Sequence, residues 1–163
     1  MAQVQQDTTG AGKTLQKLLD WWDRTFPAQS NHRASNAQFL DFYIHESKVY
    51  EHVKLVISEV QYPYLKENLN AFVKRQQTLI ESLKQRIAEQ AGKEPVKPEF
   101  VFHDQFGVRL SLSLREIHDM YNQYIFHAAV AQDEGTRLFM QKLVDEKQVQ
   151  SALLSDMVTK IHN

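Results

Sequence analysis

Residues 92–112 read GKEPVKPEFVFHDQFGVRLSL, and how this stretch is taken decides the fold. It holds Pro95 and Pro98 with Gly92 and Gly107. Proline lacks an amide hydrogen and glycine loses most backbone entropy on ordering, so regular helix is not expected here. Residues 108–112, VRLSL, alternate apolar and polar, which is the period of an extended chain. At roughly 3.3 Å per residue, such a segment can run the length of a helical bundle and return.

Working toward the N-terminus, no glycine occurs between Asn36 and Ala91, and Pro63 is the only proline. Ser35 with Gln38 has capping-box spacing, which predicts a helix over 36–61. Pro63 suits a first helical turn and Gly92 a C-terminal cap, so a second helix is expected over 63–91. A single helix kinked at Pro63 is the rival reading. Toward the C-terminus, Ser113 with Glu116 opens a third helix over 113–133; Gly135 breaks it, and a fourth follows over 136–161.

Ahead of these, Leu15, Leu18, Leu19, Trp22 and Phe26 mark one face of a short amphipathic helix over 14–26. That face packs on its own domain or offers a partner surface through Leu15, Leu18, Trp22 and Phe26. Residues 1–12 are polar and expected to be a disordered tail, with residues 13–163 as a single domain. The expected class is all-α: a four-helix bundle with one long crossover, 92–112, between the second and third helices, plus the short N-terminal amphipathic helix.

Composition narrows the function. The chain has 163 residues, a formal net charge of -1 and no cysteine. Thiol catalysis, thiolate metal sites and disulfides are excluded, and no basic stripe marks a nucleic-acid partner. No apolar run approaches the roughly 20 residues of a membrane span, and the N-terminus lacks the apolar core of a signal peptide. A cytoplasmic location without membrane attachment is the expectation. The GAGKT at 10–14 is not a phosphate loop, because that motif needs glycine where Asp7 stands.

Apolar periodicity gives each helix a seam, and each seam carries a polar interruption near its middle. These are Glu46, Gln76, Tyr121 and Glu146, with Gln150 one turn further on. The second helix superposes on the fourth at an offset of 70 and the first on the third at 75, by this reading. At 1.5 Å per residue the four interruptions lie at similar depths, so one mid-bundle polar layer is expected.

QDEGTRLFMQKLVDEKQVQSALL, residues 132–154, resembles the last helix of the ferritin-like and rubrerythrin-like four-helix-bundle proteins. The resemblance, with its topology, spans residues 36 to about 160. It implies a dinuclear metal centre held by a Glu on the first and third helices and Glu-x-x-His on the second and fourth. Glu46 and Glu146 match that pattern. Gln76, Leu79, Tyr121 and Val149 depart from it, so the standard centre is not expected, and no metal cofactor is favoured over a di-metal one.

The expected function is that of a non-catalytic binding or interaction protein, forming a homodimer, with the layer as a register device. The alternative is a non-haem iron or manganese protein, an oxidase or a store, with an atypical site. Its ligands would be Glu46 and Glu146 with Tyr121, joined by His118, the one histidine able to reach the layer, and by Gln76. The aromatic residues Tyr43, Tyr50, Tyr121 and Tyr124 read as core packing. Ser111, Ser113 and Ser151 show no paired histidine and acid in sequence, so nucleophilic catalysis is not expected and no catalytic residue is assigned.

Overall fold

Proline, glycine and one aspartate punctuate the described chain. The computed structural model describes Lys17 and residues 30–162, arranged in four helices: α1 Ser30–Glu59, α2 Pro63–Ala91, α3 Phe106–Val130 and α4 Glu134–His162. There is no strand among the described residues. Pro63 is the first residue of α2, where its missing amide hydrogen has no helical partner to lose. Gly92 closes α2 at φ +70, with its amide donating to the Ala88 carbonyl at 2.7 Å. That left-handed turn suits glycine and leaves a carbonyl satisfied. The N-terminal helix expected over 14–26, with Leu15, Leu18, Trp22 and Phe26, lies outside the described residues apart from Lys17.

Several boundaries differ from the sequence expectation. Helix α1 starts at Ser30, so Ser35 lies inside it; with no proline or glycine in 30–36, extending an existing helix is cheap. Helix α3 starts at Phe106 rather than 113, with extended Gln105 before it and no side-chain cap. The alternation in VRLSL is therefore accidental. Burial runs Leu110, Ser113, Ile117, Met120, Tyr124, in steps of three and four, while Leu112 is 42% exposed. Helix α3 ends at Val130 rather than 133, and α4 begins at Glu134 because Asp133, not Gly135, sets the break. The Asp133 carboxylate accepts the Thr136 amide at 2.7 Å, an N-cap bond.

The non-helical crossover thus shortens to residues 92–105. At ~3.3 Å per residue it spans up to roughly 46 Å, comparable with roughly 43 Å for the 29-residue α2. Its last residues are held by Arg109, which is buried in the first turns of α3. Arg109 Nη1 donates to the carbonyls of His103 at 2.6 Å and Asp104 at 2.9 Å, and Nη2 pairs with Glu59 at the end of α1. Phe102 packs edge-on against the ring of buried His52, centroids 4.6 Å apart.

The contacts form two compact units. One comprises the described residues up to Lys48 with Ile80–Val101. There Phe39 and Phe42 meet edge to face, the Arg86 guanidinium lies 5.2 Å from the Phe39 ring centroid, and Glu46 is fully buried. The other comprises Val49–Leu79 with Phe102 onward. Its core draws on all four helices: Val49, Val53 and Val56 of α1, Leu65, Leu69 and Phe72 of α2, Leu110 and Ile117 of α3, Leu154 and Met157 of α4.

A single offset of 71 residues relates the two helical hairpins, in place of the offsets of 70 and 75 read from sequence. It carries Glu59 to Val130, Pro63 to Glu134 and Ala91 to His162, that is, helix end to helix end and start to start. Burial follows the same shift. Phe39, Phe42, Glu46, Val49 and Val53 map to Leu110, Ser113, Ile117, Met120 and Tyr124. Leu69, Phe72, Gln76, Leu79 and Leu83 map to Met140, Leu143, Lys147, Gln150 and Leu154, and every residue in these pairs is buried.

Candidate functional site

The seam of α4 keeps Leu143, Gln150 and Met157 where the periodicity places them, and takes Met140, Lys147 and Leu154 in place of Phe139, Glu146 and Leu153. Met140, Leu143, Val144, Lys147, Gln150, Leu154 and Met157 are buried. Lys147, not Glu146, occupies the polar position of the core, and it is fully buried. Lysine is among the last side chains expected inside, and its four-carbon stem fills apolar space only if its ammonium finds acceptors.

Those acceptors come from α2 and from the next turn of α4. Lys147 Nζ donates to Gln150 Oε1 at 2.7 Å and lies 3.4 Å from Gln76 Oε1. Gln150 Nε2 donates to Gln76 Oε1 at 2.7 Å and reaches Glu146 Oε1 at 3.4 Å. Gln76 and Gln150 are also fully buried. Each amide uses its carbonyl as an acceptor, and Gln150 uses its nitrogen as a donor, so the cluster has a defined direction.

Glu146 sits at the rim of this cluster, and its partner is a cation. Arg75 Nε donates to Oε1 at 2.8 Å and its Nη2 to Oε2 at 3.0 Å, a two-pronged pair between α2 and α4. With side chains 46% and 24% exposed, it contributes on the order of 1 kcal/mol or less.

The remaining sequence candidates fall elsewhere. Tyr121 lies on the flank of α3, with Met120 in the core position, and its hydroxyl accepts from Gln148 Nε2 at 3.1 Å. His118 is exposed, and its Nε2 meets Ser151 Oγ at 2.7 Å. This corrects the sequence expectation for Ser151, which does have a histidine beside it. A serine–histidine contact alone is not a nucleophilic site. No acid among the described residues is bonded to this imidazole, and the backbone amides around Ser151 lie within α4 and are already used in the helix. Gln76, Glu146 and Gln150 come together as one cluster; Tyr121 and His118 instead tie α3 to α4. Glu46 is buried in the other compact unit.

Sequence reasoning missed Lys147 and Arg109. For Lys147 a signal existed: a seam through Leu143, Lys147, Gln150, Leu154 and Met157 keeps steps of three and four as well as the one through Glu146. Spacing alone does not select it, since a lysine's charge argues against burial. For Arg109, the strand reading of 108–112 hid it.

As a metal site the set does not fit. Divalent ions need several anionic or imidazole donors. Here the core position holds an ammonium, the neighbouring carboxylate is taken by Arg75, and His118 is turned to Ser151. Among the described residues no group of three or more His, Cys, Asp or Glu could hold a metal ion. Nor is any described helix long and apolar enough to cross a membrane. Comparison of the chain with protein-family models, with curated proteins and with solved structures finds no match in any of the three.

Proposed function

We propose that this chain is a ferritin-like four-helix bundle whose polar layer is structural, and that it acts as a non-catalytic binding or interaction protein. One observation carries the reading: the Lys147 ammonium lies fully buried among the amides of Gln76 and Gln150. An ammonium at that level repels a divalent cation, and it supplies internally the donor that the two amide carbonyls need. A buried polar cluster of this kind favours one pairing of helices over a slipped one, because a slip of one residue strands both amides and the ammonium without partners. Helices held in one register present their outer faces in a fixed arrangement, which is what an interaction surface requires.

The test is elemental analysis of protein purified without chelator, followed by thermal unfolding with and without iron, manganese or zinc. The expected result is sub-stoichiometric metal and an unchanged melting temperature. One equivalent of metal or more, with a melting temperature that rises on its addition, overturns the reading.

A further inference from the structure

The start of α3 is secured differently from the start of α4. Asp133 caps α4 through its carboxylate, whereas Gln105 gives α3 no side-chain cap and no acid stands in its first turn. Gly107 lies in that turn, and glycine disfavours helix. What holds these residues is tertiary. Leu110 is buried, and Arg109 grips the His103 and Asp104 carbonyls and pairs with Glu59. The grip is incomplete, because Arg109 Nε is buried without a hydrogen-bond partner. Of residues 107–112, only Arg109 and Leu110 are buried.

A second start lies inside the helix. Ser113 and Glu116 have capping-box spacing, yet Ser113 sits within α3 rather than at its end. Its hydroxyl is fully buried and has no hydrogen-bond partner; the carbonyl one turn back, which a helical serine often reaches, is not used. A buried hydroxyl left this way is unfavourable. A helix that begins after Ser113 relieves it, since the hydroxyl of an N-cap serine accepts the amide three residues on, here that of Glu116. The residues given up suit an extended chain as well, because Val108, Leu110 and Leu112 alternate with Arg109 and Ser111.

We infer that α3 has two starts, Phe106 and Ser113, and that residues 106–112 pass between helix and extended chain as one unit, with Arg109 as the latch. In the closed state Arg109 and Leu110 hold the long helix. In the open state Arg109 leaves Glu59 and the two carbonyls, Ser113 caps the short helix, and the crossover lengthens from 92–105 to 92–112. This conformational device is independent of the function proposed above and stands or falls by itself.

Native-state amide exchange of the full chain, followed residue by residue by NMR, tests it. Opening breaks the helical bonds of the amides from Arg109 to Arg115 together, while the Glu116 amide exchanges its carbonyl for the Ser113 hydroxyl. Those amides should share one protection, with a step up at Glu116. Protection that climbs residue by residue from Arg109, as at an ordinary fraying end, overturns the inference. Ser113→Ala removes the cap of the open state and should slow exchange over 109–115 by about 5-fold, the effect of one N-cap, and erase the step at Glu116. Ser111→Ala, an exposed change with the same gain in helix propensity, should slow it by no more than about 2-fold. Equal effects of the two, or a step that survives Ser113→Ala, overturn it. Glu59→Gln loosens the latch and should speed exchange over 109–115 while leaving Met120 and Tyr124 unchanged. Acceleration spread evenly along α3 overturns the inference, and this change, on a half-exposed side chain, decides should Ser113→Ala fail to fold.

Discussion

Replacing Gln150 by leucine removes the hub of the buried cluster. The side chain accepts from Lys147 at 2.7 Å, donates to Gln76 at 2.7 Å and reaches Glu146 at 3.4 Å. Leucine nearly fills its volume, so the cavity term is small and the polar terms decide. Depriving the buried ammonium of an acceptor at 2.7 Å costs about 1.5–3 kcal/mol, the range for a hydrogen bond to a charged group. Depriving the Gln76 carbonyl of a donor at 2.7 Å adds about 1 kcal/mol. The longer contact to Glu146 contributes little, because Arg75 already satisfies that carboxylate. Burying leucine in place of an amide returns about 1 kcal/mol. The expected net loss is about 1.5–3 kcal/mol, or roughly 3–12 °C in melting temperature for a domain of this size. Urea unfolding followed by helical circular dichroism measures it. Because the glutamines act on one another, Gln76→Leu combined with Gln150→Leu should cost at least about 1 kcal/mol less than the sum of the singles. A Gln150→Leu protein within about 0.5 kcal/mol of wild type, or strictly additive singles, refutes the view that the cluster is energetically coupled.

Two further outcomes are expected. Arg109→Lys should cost about 2 kcal/mol, since one ammonium cannot reproduce the fork that grips the His103 and Asp104 carbonyls, while Glu59→Gln should cost less than about 1 because Glu59 is half-exposed; equal losses in urea unfolding would show that the ion pair, not the grip on the crossover, is what matters. Burial pushes the Tyr43 phenol above its ordinary 10.0, against the opposing influence of Lys84, the nearby Ser47 hydroxyl and Lys97. The folded state then holds that proton more tightly than the unfolded one. Its contribution to stability is complete below pH 10.0 and is lost as pH rises through the folded value. Melting temperatures between about pH 9 and 11 should therefore fall less steeply for Tyr43→Phe than for wild type, and identical slopes would count against it.

Helix identity was legible in the sequence wherever backbone chemistry punctuates it. Pro63 and Gly92 act through their own φ restrictions, so α2 carries its limits in two residues. Its seam, Leu65, Leu69, Phe72, Gln76, Leu83 and Ile87, is readable because glycine and proline are absent between the limits; the spacing leaves Leu79 and Ile80 as alternatives, and the structure buries Leu79. Legibility failed where two periodicities share the same residues. Val108, Leu110, Leu112 and Leu114 satisfy a strand, yet Leu110, Ser113 and Ile117 satisfy a helix only if a serine is accepted in the core. In α4 the seam through Glu146 and the seam through Lys147 differ by 100 degrees, and both cross apolar residues. Local pattern does not separate them. The partner helix does, since Gln76 offers an acceptor that an ammonium at 147 can use.

The 71-residue correspondence makes the buried polar cluster intelligible. At the position of Gln76 the second hairpin holds Lys147, and at that of Glu46 it holds Ile117. A dinuclear centre asks the equivalent positions of its helices for like, anionic residues, since each must replace part of the water shell of a divalent ion. Gln76, Ile117 and Lys147, which share one compact unit, carry an amide, an alkyl chain and an ammonium, with no carboxylate among them. Restoring Glu at 76 alone therefore would not restore a metal site while Lys147 remains, because the new carboxylate would meet the ammonium already bonded toward Gln76 Oε1. The hydrogen bonds of Lys147 and Gln150 to Gln76 tie α2 to α4, as Tyr121–Gln148 and His118–Ser151 tie α3 to α4, so one set of polar side chains fixes the register of three helices.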